Sequence, residues 1–289
     1  MHRQRRILLS NDDGVHARGL RVLAERLSSL GEIWVVAPDR EQSGTSHSIS
    51  LHRPLRMRNV APREFAVDGT PTDSVYVALH HVLKEPPDLV VSGINHGPNL
   101  GNDVIYSGTV SAAMEAAQFG LRSIAVSLCL PDFRGTEPAA QHFDTAADVV
   151  AELAQAVLDR PMPRGVLLNV NVPNAVRDEV RGVKLCRLGF NDWSEAVSER
   201  ADPRGRPYYW IGGQRAGHDN LADSDINAVA AGWASVTPIH YDLTDYRSFA
   251  YVRRLELASY VRAPDALGDA PLPHPIHPLH AADGSQSSG

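Results

Sequence analysis

Short, uninterrupted apolar runs alternate with helical stretches through the first 173 residues, and few folds accommodate that pattern. Ile7-Leu8-Leu9, Ile33-Trp34-Val35-Val36-Ala37, Asp88-Leu89-Val90-Val91-Ser92-Gly93, Ser123 to Leu128 and Val166 to Val172 read as five strands, the last ended by Pro173. A strand without polar alternation is buried on both faces, which is the signature of a parallel sheet with helices on either side. The intervening helices are legible too. Leu20, Leu23, Leu27 and Leu30 recur at one helical face, with Gly31 as the expected stop. Thr70-Pro71-Thr72-Asp73 is a helix start: Thr70 caps, Pro71 suits the first helical position, and Asp73 occupies the capping-box position. Val75, Leu79, Val82 and Leu83 supply that helix's apolar face, and Pro86-Pro87 ends it. Residues 93–108 read as a Gly- and Asn-rich loop, Thr109 to Gln118 as a helix with Gly120 after it, and Asp144 to Leu158 as a further amphipathic helix.

The expected organisation is therefore α/β. Residues 1–173 form a three-layer domain with helices on both faces of a parallel sheet. Residues 174–262 form a smaller, mainly β region, with Tyr208-Tyr209-Trp210-Ile211 as one of its runs. Residues 263–289 hold five prolines and no Lys or Arg, the composition of a disordered tail, so a weak metal site at His274, His277 and His280 is not the preferred reading.

Charge and cysteine content narrow the function. With 28 Lys plus Arg against 34 Asp plus Glu, the formal charge of −6 argues against binding a nucleic-acid polymer, which needs basic patches. The two cysteines, Cys129 and Cys186, cannot build a disulfide framework, and there is no CxxC pair for zinc. The apolar run behind the basic start is too short for a signal peptide, and no segment approaches the ~20 apolar residues of a membrane span. A cytoplasmic chain with no membrane partner is the expectation. The GxGxxG, GxxxxGK[ST], GxSxG and HExxH signatures are all missing, which argues against dinucleotide-binding, P-loop, α/β-hydrolase and zincin chemistry.

In an open parallel sheet, ligands bind beyond the C-terminal strand ends. Three polar, glycine-bearing segments are expected on that edge: Ser10 to Gly14, Ala37 to Gly44, and Ser92 to Gly97. Asp12-Asp13-Gly14 alone is compatible with an ordinary turn. Two close carboxylates, however, need a proton or a cation between them, and Gly14 permits the turn that brings them together. With Ser43 and Asn95 arriving from neighbouring strands, an all-oxygen shell for Mg²⁺ or Mn²⁺ becomes the stronger reading. Tyr106-Ser107-Gly108-Thr109-Val110 precedes a helix, so Ser107, Gly108 and Thr109 are candidate anion ligands at its N-terminus, although Ser107 or Thr109 also suits a simple cap. Ser43-Gly44-Thr45-Ser46 offers a second hydroxyl- and glycine-rich anion site or a surface loop. His47, His96 and His240 are candidate acid–base groups, each set against a plain structural role.

Four ordered motifs then carry a resemblance: ILLSNDDG (7–14), VAPDREQSG (36–44), DGTPTD (68–73) and PDLVVSGINHGPNLGNDVIYSGTVSAAME (87–115). Together they closely resemble the SurE family, the survival-protein-type 5′/3′-nucleotidases, over about the first 130 residues. The likeness continues more weakly through Leu168 to Pro173, Asp223-Ser224-Asp225-Ile226 and Gly232 to Pro238. The resemblance implies a Rossmann-like domain, a C-terminal region that exchanges elements to form homodimers or homotetramers, and hydrolysis of nucleoside 5′-monophosphates or 3′-monophosphates. It implies one divalent cation per subunit, Mg²⁺, Mn²⁺ or Co²⁺, held by Asp12, Asp13, Ser43 and Asn95. On this reading Asp12 or Asp13 orients or deprotonates the attacking water, and Gly44, Asn95, Ser107, Gly108 and Thr109 face the phosphoryl oxygens. His96 is a candidate for protonating the leaving group. Two alternatives are a metal-dependent nucleotide-sugar glycosyltransferase, whose acids would usually be spaced D-x-D, and a non-catalytic nucleotide sensor.

Overall fold

The structure, a computed structural model, describes residues 3–130, 140–193, 197–211, 215–218 and 221–255. The first strand, β1 (Arg6–Ser10), is followed by α1 (Arg18–Leu27) and β2 (Glu32–Pro38). A hairpin, β3 (Met57–Ala61) and β4 (Glu64–Val67), leads into α2 (Pro71–Val77), which widens into a π-turn over Ala78–Val82. The chain then returns through β5 (Leu89–His96), a 3₁₀ turn (Gly101–Tyr106), α3 (Gly108–Gln118), β6 (Ser123–Cys129), α4 (Phe143–Asp159) and β7 (Val166–Pro173).

These strands make one large sheet, joined by β8 (Val183–Leu185) and β13 (Ala234–His240) in the order β3-β4-β2-β1-β5-β6-β7-β13-β8. From β4 to β7 all neighbours are parallel, while β3 and β13 are antiparallel to their sequence-earlier or sequence-later partners β4 and β7. Side-chain alternation splits the core into layers. Ile7 and Leu9 pack with Leu20, Leu23 and Leu27 of α1 and with Val149 and Val150 of α4. Leu8 turns the other way, onto Val75 of α2 and Ala112 and Ala116 of α3. The three-layer α/β expectation is thus the observed architecture. The chain leaves β1 toward β2 and β4 on one side and comes back to β5 on the other. The crevice beyond β1 and β5 is therefore a topological switch point, where such sheets place ligands.

Several local readings need correction. The helix α1 ends at Leu27 with Ser28 N–H on Glu25 O, so Leu30 packs from the following turn and Gly31 is not the stop. The capping box of α2 is present in full, with Asp73 N–H on Thr70 Oγ1 (3.0 Å) and Thr70 N–H on an Asp73 oxygen (2.9 Å). That helix nevertheless ends before Pro86-Pro87, because Leu83 is already extended. The third strand does not stop at Gly93. It runs on to His96 past a register shift between Ser92 and Asn95, and residues 101–106 form a 3₁₀ turn rather than open loop. The hairpin β3–β4 lies in a stretch whose polarity hides it.

The sheet also crosses residue 173. The chain after β7 adds β8 and β13 to the sheet. It also forms β9 (Asn191–Trp193), the hairpin β10 (Val197–Ala201) and β11 (Pro207–Ile211), β12 (Arg215–His218), α5 (Asp225–Ala230) and α6 (Phe249–Arg254). Asp225, fully buried, accepts N–H groups from Gly101 (2.9 Å), Gly189 (2.8 Å) and its neighbour Ile226 (2.9 Å). It joins this later region to the segment that follows β5. Burial holds the Asp225 carboxyl above the usual range against those hydrogen bonds. The tail read at 263–289 lies outside the described residues. Among the described residues no helix is long and apolar enough to cross a membrane.

Candidate active site

The site begins where β1 runs out. Asn11 is fully buried and its side-chain amide donates to Gly14 O at 3.0 Å, closing the turn around the two acids. Gly14 sits at φ +99°, a conformation that favours glycine. Asp12 is 4% exposed and accepts a short hydrogen bond from the Thr109 hydroxyl. The first residue of α3 stands directly against it: a Cβ on Gly108 would lie 3.0 Å from Asp12 Oδ2 and 3.1 Å from Pro71 Cγ. Burial raises the Asp12 carboxyl to about 6, opposed by the hydrogen bond from Thr109 and reinforced by the charge of Asp13.

Asp13 faces the end of β5. Its Oδ1 lies 3.1 Å from His96 Nδ1, and its Oδ2 accepts the His96 backbone N–H at 3.3 Å. The hydrogen bond to Asp13 raises the His96 ring above its ordinary value, against a smaller effect of burial. Asn95 donates its amide to Gly97 O at 2.9 Å, which turns its carbonyl oxygen the other way as an available ligand. Ser43 is exposed and donates to Glu41 Oε1 at 2.9 Å, so its lone pairs stay available. The segment bearing it is tied to the acids by Gln42 N–H on Asp12 O (2.7 Å). Gly44, at φ +72°, has open space where a Cβ would stand.

The structure therefore gathers Asp12, Gly108 and Thr109 on one side and Asp13, Asn95 and His96 on the other. Two candidates have hydroxyls engaged in local hydrogen bonds. Ser107 caps α3 by accepting Val110 N–H at 3.1 Å, and Thr45 donates to Gln42 O at 2.9 Å. Ser107 keeps its hydroxyl proton for an anion while its backbone N–H is spent on Val104 O (3.3 Å), whereas the Thr45 hydroxyl proton is spent on Gln42 O. His240 lies at the far edge: it pairs with Val166, the start of β7, and its Nδ1 accepts Asp242 N–H at 2.8 Å. His47 pairs with Glu115. Sequence reasoning passed over Glu41 and Gln42, which look like generic loop residues, and Glu115. The last carried a usable signal, being an acid inside an alanine-rich helical face.

The donor set fits a hard divalent cation. It comprises two carboxylates, an amide oxygen and a hydroxyl, all oxygen. Among the described residues no Lys or Arg pairs with Asp12 or Asp13, so the buried negative charge has only His96 beside it. Also among the described residues, no group of three or more His, Cys, Asp or Glu side chains is placed to hold a metal.

A doubly wound sheet with adjacent acids at its switch point and a helix N-terminus aimed at them defines a class, the α/β proteins built for a cation and a small anion. The comparisons name the family within that class. The model described as Survival protein SurE matches residues 7–195. A 5′-nucleotidase SurE of Anaeromyxobacter dehalogenans (strain 2CP-C) is 54% identical over 262 residues, covering 90% of this chain and 99% of that protein. One from Myxococcus xanthus (strain DK1622) is 51% identical over 249 residues, 85% and 91% of the two chains. The crystal structure of the SurE protein from Aquifex aeolicus superposes with a TM-score of 0.76 at 42% identity, covering 87% of this chain and 99% of that one. This chain belongs to the SurE family, as its four motifs indicate.

Proposed function

We propose that this chain hydrolyses nucleoside 5′-monophosphates, and 3′-monophosphates as secondary substrates, to nucleoside and phosphate. The observation that carries the reading is the buried Asp12, held by Thr109 and facing Gly108 at the start of α3, with Asp13 beside it. The curated relatives at this level of identity bear the name 5′-nucleotidase. Asp12, Asp13, Ser43 and Asn95 would hold one Mg²⁺, Mn²⁺ or Co²⁺ per subunit. A divalent cation there supplies a Lewis acid for phosphoryl oxygens and lowers the pKa of water at the site. The protein's own groups do the rest. We assign the orientation or deprotonation of the attacking water to Asp12 or Asp13, the latter paired with His96. The Gly108 N–H and the open backbone at Gly44 face the phosphoryl oxygens, and charge stabilisation of that kind dominates phosphoryl transfer. His96 is placed to protonate the departing nucleoside oxygen. Phosphate release from AMP, 3′-AMP and a nucleotide sugar, crossed with Mg²⁺, Mn²⁺ and Co²⁺, tests the reading. Release from AMP that EDTA abolishes is expected; activity indifferent to EDTA, or confined to the nucleotide sugar, rules it out.

We further propose that residues 1–173 bind the cation and phosphate, and that residues 174–262 serve assembly into a homodimer or homotetramer in the cytoplasm. Supporting this, β10 and β11 form a two-stranded sheet whose Val197, Tyr209, Trp210 and Ile211 are all exposed, Ile211 at 92%. Light scattering on the purified chain should give a multiple of 31.4 kDa.

Two predictions arise from this geometry. A methyl at Gly108 would sit 2.9 Å from Asp12 Cβ, so either the acid or the helix start must yield. Gly108→Ala should lower turnover by ~10²-fold, the effect of misplacing a reacting group by about an ångström. Overpacking against Asp12 and Pro71 should also lower thermal stability, by ~1–3 kcal/mol. Turnover within twofold of wild type would contradict the contact.

The second concerns pH. Asp12 goes from an ordinary carboxylate value when unfolded to about 6 when folded, so the metal-free fold binds this proton more tightly than the unfolded chain. Its stabilising contribution is present below about pH 4 and is lost as the pH rises through about 6. A cation removes that loss, and it competes with the proton. The rise in Tm produced by Mn²⁺ should therefore grow between pH 5 and pH 7, as read by scanning calorimetry. A rise that is flat or shrinks over that range contradicts the assignment.

A further inference from the structure

One residue of α3 is not explained by its helix. Ala112, Ala113, Ala116 and Ala117 are fully buried, yet Glu115 in their midst is only 8% exposed. A buried carboxylate is unfavourable unless a partner compensates it. Its close partner belongs to another element: His47 Nε2 lies 2.7 Å from Glu115 Oε2, with Gln118 Nε2 3.5 Å from the same oxygen. Opening that contact would strand the carboxylate, so the pairing favours the closed arrangement of whatever carries His47.

His47 sits in the segment that bears Ser43, Gly44 and Thr45. The ends of this segment are fixed to other parts of the site. Gln42 N–H reaches Asp12 O, Thr70 Oγ1 donates to Ser48 O at 2.7 Å, and Ser50 N–H donates to Asp73 Oδ1 at 2.8 Å. Between them, Ser46 Oγ donates to Ile105 O at 2.6 Å. The His47–Glu115 pair joins the same segment to α3, whose first residues face Asp12.

We propose that His47 and Glu115 form a clasp that holds residues 43–47 over the site and sets the position of Ser43 and Gly44. They are positioning residues and touch no reacting atom. The inference rests on the reading of Ser43 as a cation ligand given above. Hydrogen exchange of the metal-free full-length protein tests the clasp without invoking catalysis. His47→Ala and Glu115→Ala should each raise exchange of the amides of residues 43–50 about fivefold, the effect of losing one net hydrogen bond. Glu115→Gln keeps an acceptor and should stay near wild type. The same alanine variants should weaken Mn²⁺ binding, read by electron paramagnetic resonance, about tenfold, as loss of a supporting contact to a ligand does. Their KM for AMP should rise more than kcat falls. His47→Ala leaves α3 untouched, so it carries the test if Glu115→Ala fails to fold. Unchanged exchange in His47→Ala overturns the clasp. Raised exchange with unaltered Mn²⁺ affinity overturns its link to the site. A separate Ser43→Ala variant that binds Mn²⁺ like wild type would instead remove the ligand reading of Ser43, leaving the exchange result to decide the clasp.

Discussion

Asp12→Asn should reduce phosphate release by at least ~10³-fold, more than the loss of a single oxyanion donor usually produces, while the metal-free protein becomes more stable rather than less. The two effects share one cause. The carboxylate is 4% exposed, and burial together with the charge of Asp13 raises it to about 6. Ionising it at neutral pH therefore works against the fold by up to about 3 kcal/mol, at 1.36 kcal/mol per pKa unit. Asparagine occupies the same volume, keeps an oxygen for the Thr109 hydroxyl and carries no charge. Calorimetry at pH 7.5 should show a Tm at or above that of wild type without added cation, and almost no further rise with Mn²⁺. A variant that retains wild-type turnover, or one whose metal-free Tm falls by several degrees, would contradict this account of Asp12. An opposition of activity and stability at one side chain is the usual mark of a site that is strained for function.

Gly93→Ala should be among the most damaging single methyls in the described residues. Gly93 sits at φ +133°, and an added Cβ would lie 2.3 Å from Val126 O and 2.7 Å from Val126 Cγ1. Neither neighbour can retreat: Val126 is fully buried in β6, and its backbone carries the ladder to β7. Strained backbone and overpacking each contribute 1–3 kcal/mol, so a loss of about 4 kcal/mol is expected. In a chain of this size that lowers Tm by roughly 10 °C. The register shift between Ser92 and Asn95 would be disturbed with it, so surviving protein should also bind Mn²⁺ poorly. A variant melting within 2 °C of wild type would show that the strand has room that the geometry denies it.

The fold was legible wherever local chemistry and tertiary burial agree. Ile7-Leu8-Leu9 and Val166 to Val172 read as buried strands because both of their faces are covered. Thr70 to Asp73 read as a helix start because the capping box is a short-range pattern. The hairpin at Met57–Ala61 and Glu64–Val67 did not read as strands: on the edge strand β3, Arg58 and Asn59 are exposed side by side and break any alternation, and the pairing of β4 to β2 is a long-range fact. The end of β5 was hidden for a different reason. Glycine and asparagine usually announce a loop, whereas Gly93 here serves a bulge that lets the strand continue and carry Asn95 and His96 to the site. Of the candidate site, the proposed set Asp12, Asp13, Asn95 and Ser43 comes from residue type and strand order. The capping role of Ser107 was one of its two readings, but the bond of the Thr45 hydroxyl to Gln42 O was not legible, because a hydroxyl in sequence does not say which neighbour it will meet. The partner of Glu115, His47, is 68 residues away, a contact that no local window contains.

The Asp225 carboxylate, bound to the backbone of Gly101 and Gly189, has a consequence for how the molecule comes into being. A ribosome delivers the catalytic half first, since both acids, Asn95 and the start of α3 precede residue 110. The stretch after β5, tied to β6 and β7 through Asn99, gains its Asp225 anchor only when a residue more than a hundred positions later has emerged, and β13 closes against β7 later still. Nascent chains arrested short of that point would carry Asp12, Asp13, Ser43 and Asn95 yet lack the finished cleft, so competence should arrive abruptly once β13 has emerged.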